Sequence, residues 1–314
     1  MPVLYVLAAL TAAVLLLLFL VYRKTFLTPR RRREDLYRMP PGFGEMDPAM
    51  RALVSALDSR PFRRVTIVAR DGTRLSARYH HVADGAPLEI QCHGYRGCAV
   101  RDFCGGNPLA AEMGHNTLLI DQRAHGESGG RSITFGIRER LDILDWVDYA
   151  TRELGAEKIL LVGISMGGAS VLMAGGEPLP TAVLGIVADC PYSSPRDIIS
   201  SVIRMMHLPP RLAYPLVATS ARLFGHFSLS SCTALEAAAR CPVPILLLHG
   251  EDDRLVPAEM SKRIAAAAGV MATLVTFPGA DHGMSCMSDP DRYRAVVADF
   301  CERCLSGKGN LTKA

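Results

Sequence analysis

Several features are missing from this chain, and each absence closes off a class of function. No G-x-G-x-x-G occurs, so no turn carries the dinucleotide-binding signature. Cys301-x-x-Cys304 has no second Cys or His pair nearby, and a structural zinc site would lack half its ligands. These two read instead as partly buried cysteines of a C-terminal helix. No internal repeat or low-complexity tract follows the N-terminal apolar run. Basic residues are not spread along the chain either. The net charge is +4, and much of it comes from Arg23, Lys24, Arg30, Arg31, Arg32, Arg33 and Arg38. The near-neutral remainder argues against nucleic acid as a partner.

What is present begins with bulk. With 314 residues and 49% hydrophobic content, the chain can bury a large core in one or two domains. Nine cysteines, an odd number without a repeated framework, read as reduced thiols.

Between Val3 and Tyr22 there is no charge at all. Twenty helical residues rise roughly 30 Å, about the thickness of a bilayer's hydrocarbon core. A cleaved signal peptide would carry its basic residues before a shorter apolar run and a small-residue site after it. Here the basic residues follow the run, and no A-x-A ends it. Residues 1–24 are therefore expected to be a single-pass transmembrane anchor. The positive-inside rule puts the flank from Arg23 to Arg38, and the main domain behind it, in the cytoplasm.

Residues 25–60 form a basic juxtamembrane linker and a short amphipathic helix. Pro40, Pro41, Gly42 and Gly44 break the chain. Asp47 and Pro48 supply an N-cap and a first-turn proline, and Met50, Leu53, Val54 and Leu57 share a helical face.

Residues 61–314 make the main domain. Strand-like runs cover Val65 to Val68, Leu75 to Tyr79, Leu88 to Cys92, Thr117 to Ile120, Ile159 to Ile164, Val183 to Ala188, Ile245 to Leu248 and Leu274 to Phe277. Asp71-Gly72 makes the first two a hairpin. Longer helical intervals follow, one of them with Ile137, Leu141 and Leu144 at helical spacing. They predict right-handed crossovers and a mostly parallel sheet whose reactive loops lie beyond the strands' carboxyl ends. Residues 192–241 are too long for a simple connection. With Met205, Met206, Leu208, Leu216, Leu223 and Phe224 they predict a helical cap.

The strand from Ile159 to Ile164 runs into Gly163-Ile164-Ser165-Met166-Gly167 and then a helix-forming stretch. This is G-x-S-x-G in the strand, sharp turn and helix that a nucleophile elbow requires. A serine hydroxyl needs an adjacent base, and the base needs an orienting carboxylate. Two later strand ends carry candidates: His249-Gly250-Glu251-Asp252-Asp253-Arg254-Leu255-Val256-Pro257 and Gly279-Ala280-Asp281-His282-Gly283.

These ordered motifs resemble the α/β-hydrolase superfamily, specifically its serine-aminopeptidase-like and bacterial esterase-like branch. The resemblance covers about residues 62–305. It implies an α/β-hydrolase fold with a mostly parallel eight-stranded sheet flanked by helices. The acid is expected at Asp253 and the base at His282, with Asp252 and Asp189 as alternative acids. His93-Gly94-Tyr95-Arg96-Gly97 matches the family's H-G-aromatic turn. That match implies an oxyanion hole built from the backbone N–H groups of Tyr95 and Met166. Asp121-Gln122-Arg123-Ala124-His125-Gly126-Glu127-Ser128-Gly129 resembles D-x-R-G-H-G-x-S, with Ala124 in place of glycine, and is expected to be structural. His93 and His249 are expected to shape loops, and Cys92 to be buried in its strand.

The implied activity is carboxylester hydrolysis through an acyl-enzyme on Ser165, His282 and Asp253, with no cofactor and no metal. The expected substrate is a small-molecule ester or acyl compound, lipid-like substrates included. Aminopeptidase, amidase or thioesterase activity fits the same residues. A non-catalytic receptor or scaffold is the reading from another class. Substrate identity and oligomeric state stay open.

Overall fold

Short aliphatic and β-branched runs form eight strands: β1 Arg63–Val68, β2 Arg74–His80, β3 Leu88–Cys92, β4 Asn116–Asp121, β5 Ile159–Ile164, β6 Val183–Asp189, β7 Ile245–Gly250 and β8 Ala272–Phe277. Every strand run expected from the sequence falls on one of them, give or take a few terminal residues. The computed structural model describes residues 1–28, 36–37, 39 and 45–307. Arg30, Arg31, Arg32, Arg33 and Arg38, and the break at Pro40, Pro41, Gly42 and Gly44, lie outside the described residues.

The strands make one sheet in the order β1-β2-β4-β3-β5-β6-β7-β8. β2 pairs antiparallel with β1 and β4, and all other neighbours are parallel. Gly72, at φ +83°, turns the β1–β2 hairpin. Strands β3 and β7 are buried along their whole length, as strands covered on both faces must be. This is the α/β-hydrolase fold, a mostly parallel sheet with helices on both sides.

In chain order the helices are α1 Pro2–Thr25, α2 Pro48–Ser59, α3 Ala99–Asp102, α4 Gly106–Glu112, α5 Glu139–Glu153, α6 Met166–Gly175, α7 Pro195–Met205, α8 Pro210–Ser220, α9 Ala234–Ala238, α10 Glu259–Ala268, α11 Ser285–Ser288 and α12 Pro290–Leu305. Asp47 caps α2 by accepting the Ala49 N–H at 2.7 Å, and Met50, Val54 and Leu57 are its buried residues. Cys301 and Cys304 are buried on α12. None of the nine cysteines is in a disulfide, and eight are buried.

One helical face differs from expectation. Helix α5 turns Ile143, Trp146, Val147 and Ala150 to the core, whereas Leu141 and Leu144 are half-buried and Ile137 precedes the helix. The cause is Glu139. Its buried carboxylate accepts the N–H groups of Thr134 at 2.7 Å and Gly136 at 2.9 Å, which closes a turn and starts the helix at Glu139. A polar network is likewise buried beneath β3. There Glu89 pairs with His115 at 2.9 Å, and Asn107 links Gln91, Thr117 and Arg60.

Helix α1 is long and apolar enough to cross a membrane. Most of it is exposed, but its last turns dock on the domain. Leu18, Tyr22 and the following Phe26 are buried. The Tyr22 hydroxyl lies 2.6 Å from Ser132 Oγ, and Phe26 meets Phe135 and Phe227 edge to face. Between β6 and β7 stand α7, α8, a π-helical turn at Ala221–Gly225, and α9. Asp197 on α7 ties this segment down by pairing with Arg263 on α10 at 2.7 Å.

Candidate active site

Ser165 sits between β5 and α6 with φ +56° and ψ −115°, a conformation that non-glycine residues rarely adopt. Its N–H donates to the Asp189 carbonyl at 2.8 Å, which fixes the turn to the end of β6. The flanking glycines leave no room for a methyl group. A Cβ on Gly163 would run into the Gly167 backbone, and one on Gly167 into the carbonyls of Cys92 and His93. The serine side chain does not cap α6, so its hydroxyl is left for another partner.

That partner is His282, on the loop after β8. Its Nε2 is 2.8 Å from Ser165 Oγ, and its Nδ1 is 2.7 Å from Asp253 Oδ2. A carboxylate can only accept, so Nδ1 carries the proton and Nε2 is left to accept from the serine. Asp281, unremarked in the sequence, sets the loop. Its Oδ1 accepts the N–H of His282 at 2.7 Å and that of Arg254 at 3.2 Å, which joins the loop after β8 to the loop after β7.

Asp253 is buried. Burial alone would raise its pKa. Hydrogen bonds to His249 and His282, the charge of His282 and the Val256 N–H outweigh that and hold the carboxyl at about 2. Its Oδ1 accepts the N–H groups of Leu255 at 2.9 Å and Val256 at 2.7 Å. Because this pKa lies below the ordinary value of 3.8, the group stabilises the fold above pH 4 by about 2 kcal/mol. The contribution is expected to fade as pH falls from 4 towards 2. Urea titrations of the wild type and Asp253→Asn should show a stability gap at pH 6 that narrows steadily at lower pH. A gap independent of pH would contradict this.

The alternative acids are placed otherwise. Asp252 is exposed. Asp189 is buried and accepts from Ser285 Oγ at 3.2 Å, and burial raises its pKa. His249 bridges Ser261 Oγ at 2.7 Å and the Val256 carbonyl at 2.8 Å, while His93 contacts the Gly94 carbonyl at 2.8 Å. Cys92 is fully buried. Cys190 Sγ lies with ligand atoms of Asp253 and His282 inside a 4.8 Å group. Burial drives this thiol's pKa well up, and the other two residues already bond each other, which is a poor donor set for a cation.

The turn at residues 93–97 abuts the serine, since a methyl on Gly94 would lie 3.5 Å from Ser165 Cβ. Met166 is the first residue of α6, where backbone N–H groups have no intrahelical acceptor. The turn is pinned from three sides. Gly94 N–H donates to Asp102 at 2.9 Å, Arg96 N–H to His125 Nε2 at 3.0 Å, and the Tyr95 hydroxyl to the Thr25 carbonyl at 2.7 Å. Burial lowers the His125 pKa to about 3, so the ring is neutral. Its Nδ1–H donates to the Arg123 carbonyl at 2.9 Å, which frees Nε2 to accept. Arg123 in turn is forked on buried Asp142 at 2.5 and 2.6 Å, and Ala124 takes φ +64°, where glycine is usual.

The Tyr95 hydroxyl bond joins α1 to this turn. Tyr95→Phe keeps the backbone and removes that bond, and is expected to cost about 1 kcal/mol of stability. An unchanged melting temperature would show that the bond contributes nothing.

Residues 92–296 match the model of the alpha/beta hydrolase family. YqkD of Bacillus subtilis is 25% identical over 227 residues, covering 71% of this chain and 74% of its own. YfhR of Salmonella typhi is 26% identical over 264 residues, covering 78% and 82%. Among solved structures, the Pyrococcus furiosus esterase Pf2001 matches 89% of this chain and 98% of its own at TM-score 0.65 and 21% identity. Est1E of Butyrivibrio proteoclasticus matches 77% and 99% at TM-score 0.60 and 20% identity. Its sheet, its ordered motifs and the matched span together make this chain a member of the α/β-hydrolase family.

Proposed function

We propose that the chain is a serine carboxylester hydrolase, anchored to a membrane by α1, that works through an acyl-enzyme on Ser165. One observation carries the reading: a continuous relay of hydrogen bonds from Asp253 through His282 to Ser165. In the first step Ser165 Oγ attacks the ester carbonyl carbon, and its proton passes to His282 Nε2. The backbone N–H groups of Tyr95 and Met166 receive the oxyanion, a role in which one donor is typically worth about 3 to 4 kcal/mol of barrier. His282 then protonates the departing alkoxide. Water, deprotonated by the same imidazole, releases the acid and restores the serine. Asp253 stabilises the imidazolium throughout.

The ester preference draws on the company the chain keeps. A bifunctional esterase/perhydrolase of Acinetobacter calcoaceticus is 40% identical over 60 residues, 19% of this chain and 22% of its own. Est1E has been solved with ferulic acid bound. In this reading residues 61–314 are the catalytic domain, and about residues 192–241 its cap. Arg23 and Lys24 lie in the last turn of the anchor helix, so the positive-inside rule keeps the catalytic domain in the cytoplasm, in keeping with cysteines that form no disulfide.

Side-by-side rates on a p-nitrophenyl ester, a thioester and an aminoacyl anilide test the preference. The ester is expected to turn over at least about tenfold faster, having the better leaving group and needing no amine protonation. A faster anilide reaction would make the protein an aminopeptidase or amidase. Turnover of none of the three would favour a receptor.

A further inference from the structure

The segment between β6 and β7 carries an exposed surface that catalysis does not use. Helix α7 buries Ile198, Ile199 and Ile203, yet it and the turn after it also present Met205, Met206 and Leu208 to solvent. On α8, Leu212 is 73% exposed, and Leu216, one helical turn on, is exposed beside it. Leu223 follows on the π-helical turn. Six large apolar side chains within nineteen positions are more than scattered surface hydrophobics.

Charge on this segment has one sign. No Asp or Glu occurs from Ile198 to Leu235, while Arg204, Arg211 and Arg222 are all exposed. Apolar side chains interspersed with arginines, without an acid, are the composition of a helix lying in an anionic bilayer surface. The segment is also joined to α1. Phe224 packs against Phe19 and Tyr22 with ring centroids 5.5 and 5.8 Å apart, at the end of α1 where the exposed apolar stretch gives way to the domain. A bilayer crossed by the first turns of α1 therefore ends beside α8.

We propose that residues 202–223 form a second membrane-contacting surface, with Leu212 and its neighbours among the lipid chains and the three arginines against anionic headgroups. The proposal rests on the reading of α1 as a membrane anchor, and it makes the cap itself an interfacial element. A second copy of this chain is the competing occupant, but it would set three arginines against three arginines.

The test reconstitutes the full chain into vesicles of phosphatidylcholine and phosphatidylglycerol, with and without brominated acyl chains that quench tryptophan on contact. Trp146, the sole native tryptophan, is fully buried against the sheet and gives a constant background. Leu212→Trp probes the cap, Leu7→Trp the anchor, and Val68→Trp the exposed edge strand β1. Brominated lipid is expected to cut the added emission of Leu212→Trp and Leu7→Trp about twofold and to leave Val68→Trp unchanged. Quenching at position 7 but not at 212 refutes the proposal and keeps the anchor. Quenching at neither refutes both. Replacing Arg204, Arg211 and Arg222 with glutamine is expected to remove the phosphatidylglycerol dependence of quenching at position 212, and an unaltered dependence would overturn the headgroup assignment.

Discussion

His282→Ala is expected to lower kcat for a p-nitrophenyl ester by about a millionfold, as far as removing the serine itself would. In the proposed mechanism the imidazole serves twice. Without it the Ser165 hydroxyl loses the Nε2 acceptor at 2.8 Å and keeps its proton at neutral pH. The loop is held by the Asp281 carboxylate on the His282 backbone N–H, which alanine retains, and Asp253 keeps the N–H groups of Leu255 and Val256 when the imidazole is removed. The variant should therefore fold, and its melting temperature should stay within a few degrees of the wild type. A loss of only about tenfold would mean that another base serves Ser165.

Asp253→Asn is the second large effect, expected at about ten-thousandfold in kcat with little change in KM. An amide at this position can offer its N–H to Nδ1, which favours the tautomer with the proton on Nε2, where it cannot accept from Ser165. Asp189→Asn is expected to leave kcat within about tenfold, because Asp189 bonds Ser285 while His282 Nδ1 bonds Asp253. The reverse pattern would move the acid to Asp189. Both sit at strand ends on the same side of the sheet, which is why the sequence alone kept both open.

Much of this arrangement could be read from residue order because a parallel sheet delivers its strand ends to one side. Aliphatic runs four to six residues long marked the strands, and the motifs beyond β3, β5, β7 and β8 were expected near one another on that ground. That rule brings the loops of Ser165, His282 and Asp253 to one end of the sheet, while the choice of Asp253 and His282 within them came from the resemblance to the α/β-hydrolase superfamily. What stayed hidden depends on side-chain partners remote in sequence. Spacing suggested a face for α5 through Leu141 and Leu144, but the buried carboxylate of Glu139 resets where that helix begins. Asp281 looked like a mere neighbour of the histidine, and only the fold shows it bonded to two loops. His125 lay in a segment read as structural, and its bond to the Arg96 N–H ties that segment to the serine's surroundings.

The apolar residues of the 192–241 segment show the limit most clearly. Their pattern predicted helices that would each bury a face. It held no information on Met205, Met206 and Leu212 being left uncovered, because an amphipathic pattern does not say what it will meet. The docking of α1 was equally illegible, resting as it does on Tyr22 meeting Ser132 and Tyr95 meeting Thr25 across the molecule.

The most direct measurement is covalent labelling with a fluorophosphonate, which phosphonylates only a serine that a neighbouring base has activated. Full-length protein should gain one adduct, and peptide mass spectrometry should find it on Ser165, with labelling lost in His282→Ala. A chain that stays unlabelled, or that carries the adduct on another residue, would contradict the account.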